Sequence, residues 1–329
     1  MQELKSYKLR FCTTVALIAI SLGAIGFFVG IVDPYQQYGA HEMYLGNQRM
    51  EIAGVAKHHD YNAIITGSSM AMNHYTGQAD SLWGWKTKNF TLLGARYDDY
   101  EIVLPYVLSH GKAKNVIMGL DMFSFSNGRY AINPYLYDNS NWNNYEYHWN
   151  YSSLKDTYKI LRSPQSEQTL YHFSSAVGKD VLIKSFQNTV LGYPDEEYDF
   201  DLMKERFDNT FIPILENTSD EVKWLIYFPP YSIAEFIIYD KTGVFDANMN
   251  FKKYMISRLS NFKNVELFDF QCAPWITNLE EYMDVRHHSH EYNRRILMAL
   301  HEGEYRADSE GHVDDIRQFI IQYADSLKL

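Results

Sequence analysis

Cysteine is nearly absent from this chain. Its 329 residues hold two, Cys12 and Cys272. Cys12 lies in an apolar N-terminal run, so the two are not expected to pair. Neither a disulfide framework nor a zinc-type cysteine spacing is present. Surplus positive charge is also missing. Lys and Arg number 30 against 41 Asp and Glu, giving a formal net charge of -11. A nucleic-acid partner needs a basic face, which this balance argues against. No Walker loop, G-x-G-x-x-G or G-x-S-x-G occurs, so nucleotide-binding and nucleophile-elbow readings lack support. The segment "HEYNR" lacks the second histidine of an H-E-x-x-H helix, and no carboxylate pair stands near His287, His288 and His290 at ligand spacing. No metal and no cofactor is expected. No period of ~20–50 residues repeats, which argues against a solenoid.

What is present begins at the N-terminus. Residues 11–32, "FCTTVALIAISLGAIGFFVGIV", carry no charge. At about 1.5 Å per helical residue this run spans a hydrocarbon layer of about 30 Å. Lys5, Lys8 and Arg10 precede it, and Asp33 follows. The positive-inside bias then leaves residues 1–10 in the cytoplasm and the rest outside. The competing reading is a cleaved signal peptide, but the run is long for one and lacks an A-x-A site at its end. Gly26-x-x-x-Gly30 offers small residues at a spacing that lets membrane helices approach closely.

Residues 33–47 read as a tether, and "RMEIAGVAKHH" as a helix. Five short apolar runs follow, each expected as a buried strand: 62–67, 89–94, 115–121, 223–228 and 265–270. Helical patterns separate them, so the expected fold is α/β with a parallel sheet covered on both faces. About 100 residues separate the third and fourth runs, too many for one crossover. An insertion at about 124–220 is expected there. It opens with an Asn- and Tyr-rich loop suited either to sugar stacking or to plain solvation. Two helices are expected at the C-terminus, in one domain running from 48 to 329.

Ligands of open parallel sheets sit at the carboxyl ends of the strands. Ser68 and Ser69 follow the first run, Gly94 ends the second and Asp121 the third. Tyr231 and Ser232 follow the fourth, and "YMDVRHHSHEYN" follows the fifth. A serine needs a base to act as nucleophile, and the base needs an orienting carboxylate. Asp284 and His287 stand three residues apart, as that pair requires.

In this order the motifs resemble the SGNH (GDSL) hydrolase superfamily over roughly residues 60 to 305. The resemblance implies a flavodoxin-like three-layer fold with a five-stranded parallel sheet. It places the nucleophile at Ser69 in "TGSS", the oxyanion glycine at Gly94 in "LLGA", and the D-x-x-H pair at Asp284 and His287 in "DVRH". Ser68 stands where the family has aspartate. Asp121, in "GLD", stands where it has asparagine. An ionised carboxylate there repels an oxyanion, so Asp121 fits the hole only when protonated. Ser68, Asn73, Tyr231, Ser232 and His288 are the remaining candidates for lining a substrate. With the N-terminal run, the chain looks most like the membrane-anchored, DltD-like branch that acylates envelope polymers, often beside a membrane-bound O-acyltransferase. That implies acyl transfer to or from hydroxyls of a cell-envelope glycan or teichoic-acid-like polymer through acyl-Ser69. A carbohydrate O-acetyl esterase and a non-catalytic glycan-binding or recruitment module are the alternatives.

Overall fold

The computed structural model describes residues 2–126, 132–138, 144–163, 176–189 and 198–324. The five apolar runs become β1 (Ala63–Gly67), β2 (Thr87–Thr91), β3 (Asn115–Gly119), β4 (Lys223–Phe228) and β5 (Val265–Asp269). All four pairings are parallel, in the order β2-β1-β3-β4-β5. This is a doubly wound order, whose direction of travel reverses between β1 and β3. The α/β parallel sheet is therefore as expected. β2, however, starts two residues earlier than its apolar run and stops at Thr91. Leu93 beyond it is exposed. Polar Asn89 holds a central place instead, its side-chain amide donating to Met72 O at 2.9 Å.

Alternation along the strands divides the core into two layers. Ile65, Ile117, Tyr227 and Phe268 face Ala71, Ala79, Ile296, Leu297 and Leu300. Those residues come from the helices Ser69–Met72, Thr76–Trp83 and His290–Glu302. The opposite face carries Val116 and Trp224, partners in register. Trp224 meets Phe211 with ring centroids 6.3 Å apart, and Phe211 in turn meets Tyr100 of helix Tyr97–Ser109. Burying each such large side chain stabilises the fold by about 1.5–3 kcal/mol. Residues 200–216 form Phe200–Arg206, a π-turn Phe207–Phe211 and Ile212–Glu216. Pro213 lacks the N–H that an uninterrupted helix needs there.

The chain divides into two compact units. One holds residues 1–59 with 132–170, the other 60–131 with 171–329. The single boundary expected near residue 48 is thus replaced by a division that takes helix Gln48–His58 and part of the insertion into the first unit. Within that unit, helix Gln2–Val32 is long and apolar enough to cross a membrane. The residues expected as a tether are packed rather than loose. Asp33, fully buried, accepts hydrogen bonds from the N–H groups of Gln37 and Tyr38 at 2.7 and 2.9 Å and from the Tyr147 hydroxyl at 2.8 Å. Burial pushes the Glu51 carboxyl up to about 7, although the Leu45 and Gly46 N–H groups pull it down.

Candidate active site

The second unit carries the candidate site at the carboxyl edge of the sheet. β1 ends at Gly67 with φ +127°, and a Cβ there would lie 2.4 Å from Gly119 O. Only glycine allows this turn and this approach of β1 to β3. Ser68 follows in extended conformation and caps the short helix Ser69–Met72, accepting from Met70 N at 3.1 Å. Its own hydroxyl donates to Asp121 Oδ2 at 2.5 Å. The next side chain, Ser69, is thereby turned outward, with its Oγ 2.8 Å from His287 Nε2.

His287 is held from its other side. Its Nδ1 is 2.6 Å from Asp284 Oδ2, while Asp284 Oδ1 accepts from the N–H groups of Arg286 and His287 at 2.8 and 2.7 Å. Burial by itself raises the Asp284 pKa. The His287 hydrogen bond and charge, with the two backbone N–H groups, outweigh burial and hold the carboxyl below its ordinary value. With Nδ1–H given to Asp284, Nε2 is the lone-pair nitrogen and accepts from Ser69. Ser69, His287 and Asp284 are thus brought together in one hydrogen-bonded chain.

The turn that carries Asp284 and His287 is fastened by the segment after β4. Ser232 Oγ donates to Val285 O at 2.7 Å, and Tyr282 OH donates to Pro230 O at 2.9 Å. Arg286 Nε lies 2.6 Å from Glu235 Oε1, a carboxylate with no solvent exposure. No spacing rule could have found Glu235, which is 51 residues from its partner.

Asp121 departs from its expected place in an oxyanion hole. It is fully buried, and its two oxygens accept from Ser68 Oγ and Tyr231 OH, each at 2.5 Å. Burial pushes its pKa up to about 6, against the pull of those two hydroxyls and of the Arg286 and His287 charges. Ser68, Tyr231 and Ser232, expected to line a substrate, are likewise fully buried. All of them brace the serine turn and the histidine turn from behind. Gly94 stays at the site's edge in a turn with φ +59°, two residues past Leu92, whose N–H bonds Gly67 O at 2.9 Å. Among the described residues, no acceptor meets the N–H of Ser69 or of Gly94.

A shallow, narrow cleft adjoins Ser69, lined by Met70, Asn73, His287, His288 and Asn293. Asn73 and His288 thus border the cleft beside Ser69. His288 is buried, and that burial lowers its pKa to about 4. Below the cleft, His74 Nε2 lies 2.6 Å from Tyr227 OH and Nδ1 3.1 Å from Asn293 O. Burial and the neighbouring His288 lower its pKa to about 3. His74 is a neutral post under the cleft. The aromatic loop after residue 126 lies partly outside the described residues.

Family models, curated proteins and solved structures were all searched, and none matches this chain. The functional reading therefore rests on the site's own geometry.

Proposed function

We propose that the chain is a serine-dependent acyltransferase of SGNH type, acting on hydroxyls of a cell-envelope glycan or teichoic-acid-like polymer. The carrying observation is the continuous chain from Ser69 Oγ through His287 to Asp284, with contacts of 2.8 and 2.6 Å. Such a chain removes the serine proton as its oxygen attacks. Ser69 attacks the acyl carbonyl, and His287 Nε2 takes the hydroxyl proton. The oxyanion forms beside the N–H groups of Ser69 and Gly94. Collapse leaves acyl-Ser69, and His287 returns its proton to the departing oxygen. An acceptor hydroxyl then gives its proton to His287 and takes the acyl group, and His287 passes that proton to the departing Ser69 Oγ. Water in place of that acceptor makes the same chemistry an O-acetyl esterase.

Two further features support the reading. One is the five-stranded parallel sheet, with Ser69 after β1 and the Asp284–His287 pair after β5. The apolar helix, preceded by Lys5, Lys8 and Arg10, suits a single-pass anchor with the catalytic unit outside the cytoplasm, where a membrane-bound O-acyltransferase can deliver the acyl group.

The test uses the full chain in detergent, since Asp33 and its contacts argue against cutting at the end of the helix. A fluorophosphonate probe is added to wild type, Ser69→Ala and His287→Ala, and the adduct is mapped by mass spectrometry. Labelling at Ser69 that is lost in both variants is expected. A folded wild-type chain that never labels would overturn the enzyme reading in favour of a glycan-binding or recruitment module.

A further inference from the structure

The Gly26-x-x-x-Gly30 face, which the sequence offers to another membrane helix, is filled by the chain's own residues. A Cβ at Gly26 would lie 2.7 Å from the Trp149 ring, and one at Gly30 would lie 2.7 Å from His148. His148 Nδ1 is 2.7 Å from Gly26 O, and Trp149 Nε1 donates to Leu22 O at 2.8 Å. Glycine at both positions leaves the room these rings occupy.

The depth of those contacts is informative. Leu22 lies ten residues before Val32, the last residue of the helix, which is about 15 Å along the axis at ~1.5 Å per residue. Keeping Trp149 in water would confine the membrane span to residues before Leu22. The uncharged stretch from residue 11 then supplies only ~17 Å of a hydrocarbon layer about 30 Å thick. Extending the span the other way would draw Arg10 and Lys8 into the layer, which is costly. A spanning helix and a tryptophan on Leu22 are compatible only if Trp149 lies within the apolar layer.

We propose that residues 144–162 form a wedge that enters the lipid leaflet at the Val32 end of the anchor. This inference rests on the helix crossing a bilayer and is independent of the acyl-transfer reading. Apart from the exposed carboxylate Glu146, the wedge offers lipid a largely aromatic surface. Tyr145, Trp149, Tyr151, Tyr158 and Leu161 expose large apolar surfaces, Tyr151 to 80%. Helix Tyr151–Arg162 climbs away from the deep contact. Tyr35 OH, just past the anchor, donates to Asp156 at 2.8 Å, and Lys159 Nζ donates to Leu45 O at 3.1 Å. Tyr151 precedes Asp156 by about 7 Å along that helix. Tyr158 follows it at the Tyr35 end, with the Arg162 guanidinium 5.2 Å from its ring. Aromatic rings and cations at that level suit the headgroup region, where anionic phosphates meet Arg162 and the exposed Lys155.

The experiment places nitroxide labels on the full chain in vesicles of phosphatidylcholine and phosphatidylglycerol. With Cys12→Ser and Cys272→Ser as background, labels go singly on Leu17→Cys, Tyr145→Cys, Tyr151→Cys and Tyr158→Cys, all exposed positions. Labels at 17 and 151 are expected to lose collisions with a water-soluble nickel chelate and to gain collisions with oxygen. The label at 158 is expected to be intermediate, and the label at 145 to follow 151. Nickel access at 145 and 151 with 17 shielded would overturn the wedge while leaving the anchor standing. Nickel access at 17 as well would remove the anchor and the wedge together.

Discussion

At Asp121 two hydroxyl groups from distant parts of the chain converge on one buried carboxylate. Replacing it with alanine strands the Ser68 and Tyr231 hydroxyls in the interior, at a cost of about 1–3 kcal/mol for each group left unsatisfied. Asp121→Asn keeps the shape and removes the titration. Burial raises the folded-state pKa from 3.8 to about 6, so the folded chain holds this proton more tightly than the unfolded chain. The contribution is full below the ordinary value and is lost as pH rises through about 6. Each pKa unit is worth about 1.4 kcal/mol, so wild type should lose on the order of 2–3 kcal/mol relative to Asp121→Asn between about pH 4 and pH 7. Thermal unfolding of both proteins in detergent across that range checks this, and parallel curves would refute it. Asp284 and His287 were legible because their chemistry fixes residue type and their spacing is local, and Ser69, 218 positions from His287, because it follows the first strand. The orientation of Asp121 was not, because it is set by residues 53 and 110 positions away.

Among the elements, the turn carrying the D-x-x-H pair has little regular structure of its own. One isolated bridge, Tyr282 to His288, closes it. Its rigidity is borrowed from the segment after β4, above all through the Arg286–Glu235 pair. Arg286→Ala removes the cation from beside a carboxylate with no solvent exposure, and breaking such a buried pair costs about 3–5 kcal/mol. The variant should unfold at lower temperature and label at Ser69 more slowly, because His287 loses its register. Arg286→Lys should recover part of the stability but less of the rate, since a compact ammonium cannot reproduce the guanidinium's bond to Glu235 together with its place over the Phe123 and Tyr231 rings. Labelling as fast as wild type in Arg286→Ala would show that the turn needs no such brace. At this scale the strands were legible from short apolar runs, apart from β2. There Asn89 and its bond to Met72 O override the pull of Leu92 and Leu93, and no hydrophobic pattern announces a buried amide.

Over the whole molecule, the sequence reading missed the first compact unit. Its segments, 1–59 and 132–170, are separated by more than 70 residues, and polar, aromatic stretches such as "DPYQQYGAHEMYLGNQ" look like solvated linkers until their partners are in place. The decisive contacts are long-range: Tyr147 OH to Asp33 spans 114 positions and Tyr35 OH to Asp156 spans 121. Asp33 makes the division testable. It is fully buried with φ +52°, and it serves the chain reversal after the anchor through Gln37, Tyr38 and Tyr147. Asp33→Ala leaves those donors unanswered and should loosen residues 33–59 and 144–163 by about 2–4 kcal/mol. If the two units are separate cooperative bodies, amide exchange should rise there while β1, β3 and β4 keep their protection and Ser69 still labels. Equal loss of protection in the sheet would mean that the chain folds as one body, with the catalytic turn dependent on the packing around Asp33.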